Sequence, residues 1–203
     1  ISKVRMPPDS VDWHTGDIVP YLRMIIEGGV LLAKSKDITI HFTPRKSAII
    51  ADIVPDYLRK IMRNLISNAI KFTPSQGEIN ITCRQQRNKV IIMVADNGVG
   101  MDEEEAKHAF EDFYQADTDC RTLGTGIGLA LVKQLVEAMQ GSIKVDSAPG
   151  KGCTFTITLP LKHGEGNWGV LELEESEEPF EPIFVNTTTP LQTTEESNAL
   201  ARH

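Results

Sequence analysis

Three groups of residues in this chain have the types and spacing that chemistry needs. Asn64, Asn68 and Lys71 recur at four- and three-residue spacing; at 100° per residue they fall, with Ser67, within about 100° of arc, which puts two carboxamides and an ammonium on one side of a helix. Asp96-Asn97-Gly98-Val99-Gly100 follows an apolar run and sets a carboxylate among glycines, where the missing Cβ lets backbone N–H groups approach a ligand. Gly124-Thr125-Gly126-Ile127-Gly128 runs straight into an apolar-periodic segment, so a phosphate could sit at a helix N-terminus. A carboxylate held by glycine turns can accept a hydrogen bond from the exocyclic amine of adenine, whereas guanine would present it with another acceptor. Together the three groups read as a nucleotide site that selects ATP over GTP. Taken singly, Asp-Asn-Gly is a common hairpin turn and Gly-Thr-Gly a common hinge, so the conjunction carries the reading.

Other phosphate-binding patterns do not fit. Neither glycine cluster is a Gly-x-Gly-x-x-Gly after a first strand, and no Gly-Lys-Ser/Thr is present, which disfavours a dinucleotide fold and a P-loop. A formal net charge of −7 over 203 residues argues against a nucleic-acid partner or an anionic membrane surface, so a phosphate site must be local. Cys83, Cys120 and Cys153 are too widely spaced for a metal site or a disulfide framework and read as cytosolic thiols. No apolar run approaches the roughly 18 residues of a membrane span, so no direct membrane contact is expected of this chain.

The elements that must position these groups can be read in order. Ile18, Tyr21, Leu22, Ile25, Ile26 and Leu32 predict an amphipathic helix over 17–35, weakened in its middle by Gly28-Gly29. Residues 38–42 and 47–51 predict a pair of strands with 43–46 as their turn. Asp52 is the expected N-cap of the next helix, with Leu58, Ile61, Met62, Leu65, Ile66 and Ala69 facing the core and Thr73-Pro74 as its end. Two strands follow, from Gly77 and over 90–95; the second is apolar on both parities, so it should be central and deliver Asp96 at its end. Asp102 and Glu105 make a capping box for a short helix through about Phe113. Residues 115–122 carry no apolar periodicity and are expected to be a mobile lid. A helix after Gly128 should turn Leu129, Val132, Leu135, Val136 and Met139 inward, with Gly141 as its stop, before closing strands over 143–146 and 154–159. The expected division is a leading linker over 1–15, a domain over 16–162 and an acidic polar tail over 163–203, the tail having too little apolar surface to offset its ordering entropy.

Asn64-Leu-Ile-Ser-Asn68-Ala-Ile-Lys71-Phe-Thr-Pro74, Asp96-Asn-Gly-Val-Gly100, Phe110-Glu-Asp-Phe-Tyr114 and Leu123-Gly-Thr-Gly-Ile-Gly-Leu129 resemble the N, G1, F and G2 boxes of the bacterial sensor histidine kinases. The resemblance implies a Bergerat-type ATP site in a two-layer α/β sandwich, a mixed and mostly antiparallel sheet covered on one face by helices. It implies that Asn68 ligates Mg²⁺, that Lys71 meets the phosphates and that Asp96 binds adenine. Gly98, Gly100, Gly124, Gly126 and Gly128 would shape the pocket and its lid, with Leu129 and Thr154 also at the nucleotide. Asn64, one turn from Asn68, would share the metal or orient its shell. Arg121 is a candidate to stabilise the departing γ-phosphoryl group, or else a solvated loop charge. Related gyrase, chaperone and mismatch-repair ATPases carry a Glu where Asn64 stands. An amide cannot act as that base, so transfer to an imidazole is favoured over hydrolysis, while the intact boxes weigh against a purely nucleotide-sensing or interaction role. None of His14, His41, His108, His163 and His203 has the His-Glu-x-x-x-Pro context of the family's phosphoacceptor. The expected partners are therefore ATP and a separate dimerisation and phosphoacceptor domain; the acidic tail stands where hybrid kinases of the family connect to a receiver domain, a further candidate partner, or else is an unrelated extension. The resemblance also places the chain in the cytoplasm, as the cytoplasmic portion of a membrane-bound sensor.

Overall fold

The computed structural model describes residues 11–111, 128–174 and 180. Asp17 ends β1 (His14–Asp17) and caps α1 (Ile18–Ser35), and its Oδ1 accepts the N–H groups of both Val19 and Ile49 at 3.0 Å. One carboxylate thus starts the helix and ties it to the chain that leads, after β2 (Thr39–Pro44), into β3 (Ile50–Ile53). α2 (Pro55–Phe72) follows, then β4 (Glu78–Gln86) and β5 (Lys89–Asp96), joined by a two-residue turn in which Arg87 has φ 54°. α3 (Glu103–His108) carries the capping box expected of Asp102 and Glu105 but ends five residues before Phe113, which lies outside the described residues. α4 (Gly128–Ala138), β6 (Ser142–Ser147), β7 (Cys153–Pro160) and a short β8 (Gly169–Val170) complete the chain.

The main sheet runs β2-β4-β5-β7-β6, with only β2 and β4 parallel. α2 packs between α1 and α4 on one face. Ile79, Ile81, Cys83, Ile92, Val94 and Ile157 turn toward the helices and are all but sealed from solvent, each such aliphatic side chain worth about 1.5–3 kcal/mol relative to exposure. Alternation puts Thr82, Arg84, Thr156 and Thr158 on the other face, half-buried or exposed. β5 is the middle strand, as its apolar character predicted.

Three local expectations are corrected. β2 and β3 are not a hairpin: β2 continues through Pro44, and Arg45 N–H donates to Cys83 O at 2.8 Å, so the chain keeps following β4 instead of turning back. β3 joins a second sheet, ordered β3-β1-β8, in which β1 is antiparallel to β3 and parallel to β8. Asp52 is not a helix cap. Val54 holds that position with no side-chain bond, and Pro55, which has no N–H to satisfy, opens α2. Asp52 lies in β3, 9% exposed, where its Oδ1 accepts from Thr15 Oγ1 at 2.6 Å and its Oδ2 from His163 N–H at 2.8 Å. Beside this sheet Trp13, 7% exposed, stacks on His163 with centroids 3.7 Å apart and planes 5° from parallel, while Trp168 Nε1 donates to His163 O. Single aromatics in polar stretches have no periodicity to reveal them. Finally, the left-handed residue after α4 is Gln140, with φ 60°, and Gly141 follows it because a Cβ there would stand 2.5 Å from Thr158 O.

Asp52 therefore joins the two ends of the domain. Asp52→Ala leaves a hydroxyl and a part-buried N–H without their acceptor and is expected to cost about 2–3 kcal/mol, read as a drop in Tm of roughly 5–10 °C.

Candidate nucleotide site

β5 carries Asp96 out of the core to the edge of the sheet. Its Oδ1 accepts Gly98 N–H at 2.9 Å and Cys153 N–H at 3.2 Å, while Oδ2 takes no hydrogen bond from the described residues and is left as an acceptor. Burial pushes the carboxyl above its ordinary value, and the two backbone N–H groups oppose that shift without cancelling it.

The loop after Asp96 is fitted against two neighbours. Val99 N–H donates to Phe72 O at 3.2 Å, and a Cβ on Gly98 would collide with that same carbonyl, so only glycine lets the loop lie on the end of α2. Gly100, with φ 71°, approaches Ala148 O as closely, and Gly152, with φ 75°, approaches the backbone oxygen of Asp96. Gly150 N–H donates to Val99 O at 2.7 Å. Ser147 Oγ accepts Met101 N–H and donates to Gly152 O, both at 2.8 Å. The 96–101 loop and the β6–β7 turn are in effect one interlocked unit with the carboxylate in its middle.

α2 supplies the opposite wall. Asn64 is 6% exposed; its Nδ2 donates to Lys60 O at 2.8 Å, which leaves Oδ1 as the free end of the amide, 3.0 Å from where a Cβ on Gly128 would stand. The start of α4, and with it the last glycine of the second cluster, is thus placed against the helix that carries the carboxamides. Asn68 is half-buried and makes no hydrogen bond within the described residues. Lys71 is half-buried with Nζ 5.0 Å from the Phe72 ring centroid; burial lowers its pKa and the Lys36 charge adds to that. An ammonium so placed gains from a nearby phosphate. Phe110 meets Phe155 edge-on, centroids 6.1 Å apart, which ties the chain after α3 to β7 beside the carboxylate. Leu129 packs against the core, and Thr154 stands one residue beyond the N–H that binds Asp96, opposite Ala95 in register. Arg121, Gly124 and Gly126 lie outside the described residues.

Sequence reasoning did not single out Ser147, Gly152 or the Cys153 N–H. The paired glycines of Gly150-Lys151-Gly152 were the available signal. His108 holds Glu111 and Glu104 through its two ring nitrogens, at 2.7 and 2.9 Å. A cavity of about 270 Å³ beside Lys89, Gln140 and Pro160 lies at the far end of β5 from Asp96 and brings no carboxylate or histidine to bear. Among the described residues no three His, Cys, Asp or Glu side chains are grouped to hold a metal.

Comparison with known proteins places this geometry. Residues 53–163, more than half of the chain, match the family described as histidine kinase-, DNA gyrase B- and HSP90-like ATPases, and the chain belongs to that family. Within it the similar proteins are sensor histidine kinases, and this is an ATP-binding domain of their type. The circadian input-output histidine kinase CikA of Synechococcus elongatus is 44% identical over 108 residues, which are 52% of this chain and 14% of CikA. The autoinducer 2 sensor kinase/phosphatase LuxQ of Vibrio vulnificus is 41% identical over 133 residues, 62% of this chain and 15% of LuxQ. This chain thus spans only a small part of these relatives. Among solved structures, the catalytic domain of the histidine kinase ThkA superposes with a TM-score of 0.67 at 21% identity, covering 74% of this chain and 97% of that one, which bears out the two-layer fold. Full-length ShkA in complex with AMPPNP superposes with a TM-score of 0.68 at 30% identity, covering 74% of this chain and 31% of that one. Among the described residues, no helix is long and apolar enough to cross a membrane.

Proposed function

We propose that this domain binds Mg-ATP and transfers the γ-phosphoryl group to a histidine on a separate dimerisation domain, in two-component signalling. The observation that carries the reading is Asn64: a carboxamide, fixed by Lys60 O, stands at the helical position where hydrolytic members of the family hold a general base. An amide cannot activate water, whereas a neutral imidazole already offers a lone pair. Asp96 Oδ2 would accept the adenine amine, with Gly98 and Gly100 keeping the wall free of side chains, and Lys71 would meet the phosphates. Arg121 is the proposed counter-charge to the moving phosphoryl group.

The donors present suit Mg²⁺. It keeps most of its waters and needs few protein oxygens, and Asn68 offers a carbonyl with no other partner in the described residues. When bound, the ion would neutralise phosphate charge. Asn64, held by its Nδ2, orients its own carbonyl beside that position. Asn68→Ala is expected to abolish the Mg²⁺ dependence of ATP binding, and calorimetry with and without the ion checks it; an unchanged Mg²⁺ response would remove Asn68 from the site.

The function itself is tested by adding a purified dimeric phosphoacceptor domain and ATP labelled at the γ-phosphate. Label on the histidine of that domain is the expected result. Steady release of phosphate with no acceptor present would replace this reading with an ATPase.

A further inference from the structure

Gly28 and Gly29 sit in the middle of the 18-residue α1, where glycine is the least favourable residue short of proline. Helix packing accounts for the second of them: a Cβ on Gly29 would stand 3.1 Å from Ile66 Cγ2 of α2, and also 3.2 Å from Phe180 Cζ. Gly28 is exposed, and the described side chain that a Cβ there would meet, at 3.4 Å, is Phe180 again. The two glycines form a notch that a phenyl ring fills, and the Arg63 guanidinium lies over that ring, 5.2 Å from its centroid. One turn earlier on α2, Arg59 lies over the Tyr21 ring at 6.0 Å, so two guanidinium groups line this side of the helix layer.

Phe180 belongs to a run in which six of the ten residues from Glu172 to Glu181 are glutamate. The beginning of that run is anchored: β8 pairs with β1, and Leu171 N–H donates to Thr15 O at 3.0 Å. From there the charge of Glu172 acts on His14 of β1 and that of Glu174 on Tyr21 of α1. Acidic residues flanking an aromatic are the chemical complement of a glycine notch beside two arginines.

We propose that the Gly28-Gly29 notch, walled by Ile66 and Arg63, is a docking site for an aromatic side chain in an acidic peptide segment, and that its occupant is this chain's own Phe180. Phe180 in the notch and β8 against β1 are then two points at which the chain after Leu161 is held to the domain.

The test uses the full chain and a glutamate-specific protease, with cuts inside 172–181 followed by mass spectrometry and Tm measured in parallel. Cleavage beside a seated Phe180 tracks the fraction unseated, so Phe180→Ala is expected to be cut about tenfold faster than the wild type, and Phe180→Tyr at the wild-type rate. Gly28→Leu fills the notch from the helix side; it is expected to speed cleavage equally while Tm holds or rises, because leucine favours the helix. Raised salt should speed cleavage of the wild type by screening the glutamates from the arginines. Wild-type rates in both Phe180→Ala and Gly28→Leu would overturn the proposal. So would faster cleavage of Gly28→Leu accompanied by a fall in Tm, which would make the notch a packing detail of α1.

Discussion

Asp96→Ala is expected to weaken ATP binding by roughly 1.5–3 kcal/mol, a tenfold to hundredfold loss, from the charged hydrogen bond alone. Calorimetry giving equal affinity for the variant would refute the assignment. The companion Asp96→Asn separates ligand from scaffold. Its carbonyl oxygen can still serve the N–H groups of Gly98 and Cys153, as Oδ1 does in the wild type, while its NH₂ group presents a donor to the adenine amine, itself a donor. ATP should be lost, and guanine, with an acceptor at that position, should gain relative to adenine. The pH dependence follows from the raised carboxyl. With the folded pKa above the ordinary 3.8, the Asp96 contribution to stability is present at low pH and is lost as pH rises through the folded value. Nucleotide needs the ionised form. Affinity for ATP should therefore fall as pH descends through the raised value, while the stability contribution of this group to the free protein moves the other way.

The second large effect is expected at a residue with no chemistry of its own. Gly152→Ala forces a left-handed backbone on a residue with a Cβ and drives that Cβ into the carbonyl of Asp96. A cost of about 3 kcal/mol, or roughly 6–12 °C in Tm, is expected. Weaker adenine-nucleotide binding should accompany it, because Cys153 N–H next door holds the carboxylate. The exposed neighbour Lys151 is the control: Lys151→Ala should shift stability by no more than about 0.5 kcal/mol. A Gly152→Ala protein with wild-type Tm would mean the turn can move away and the interlock is looser than its hydrogen bonds imply.

The contrast between these two positions shows what a linear chain discloses. The position of Asp96 was legible because its neighbours in sequence are its neighbours in space: the apolar strand before it and the glycines after it set it at the end of the central strand. The stripe on α2 was legible for the same reason, since a helix repeats its faces within a few residues. Gly152 and Ser147 act on Asp96 and Met101 across about fifty residues, and nothing in a turn reading Pro-Gly-Lys-Gly announces a distant partner. The strand pairing failed similarly. Residues 38–51 look like a hairpin by alternation alone, but β2 finds its parallel partner on the far side of α2, and crossovers leave no mark in local periodicity. Asp52 stood one residue too early to cap and was recruited instead by Thr15 and His163.

β1 and β8 run parallel, side by side, with the Trp13–His163 stack beside them. A tension applied to the chain on both sides of the domain, backward on the strand coming in and forward on the strand going out, would load this pair in shear, so its hydrogen bonds resist together instead of opening one by one. The mechanical path between the flanking segments passes through two short strands and an aromatic stack. It bypasses the five-stranded sheet, which leaves the carboxylate and its glycine walls outside the line of force.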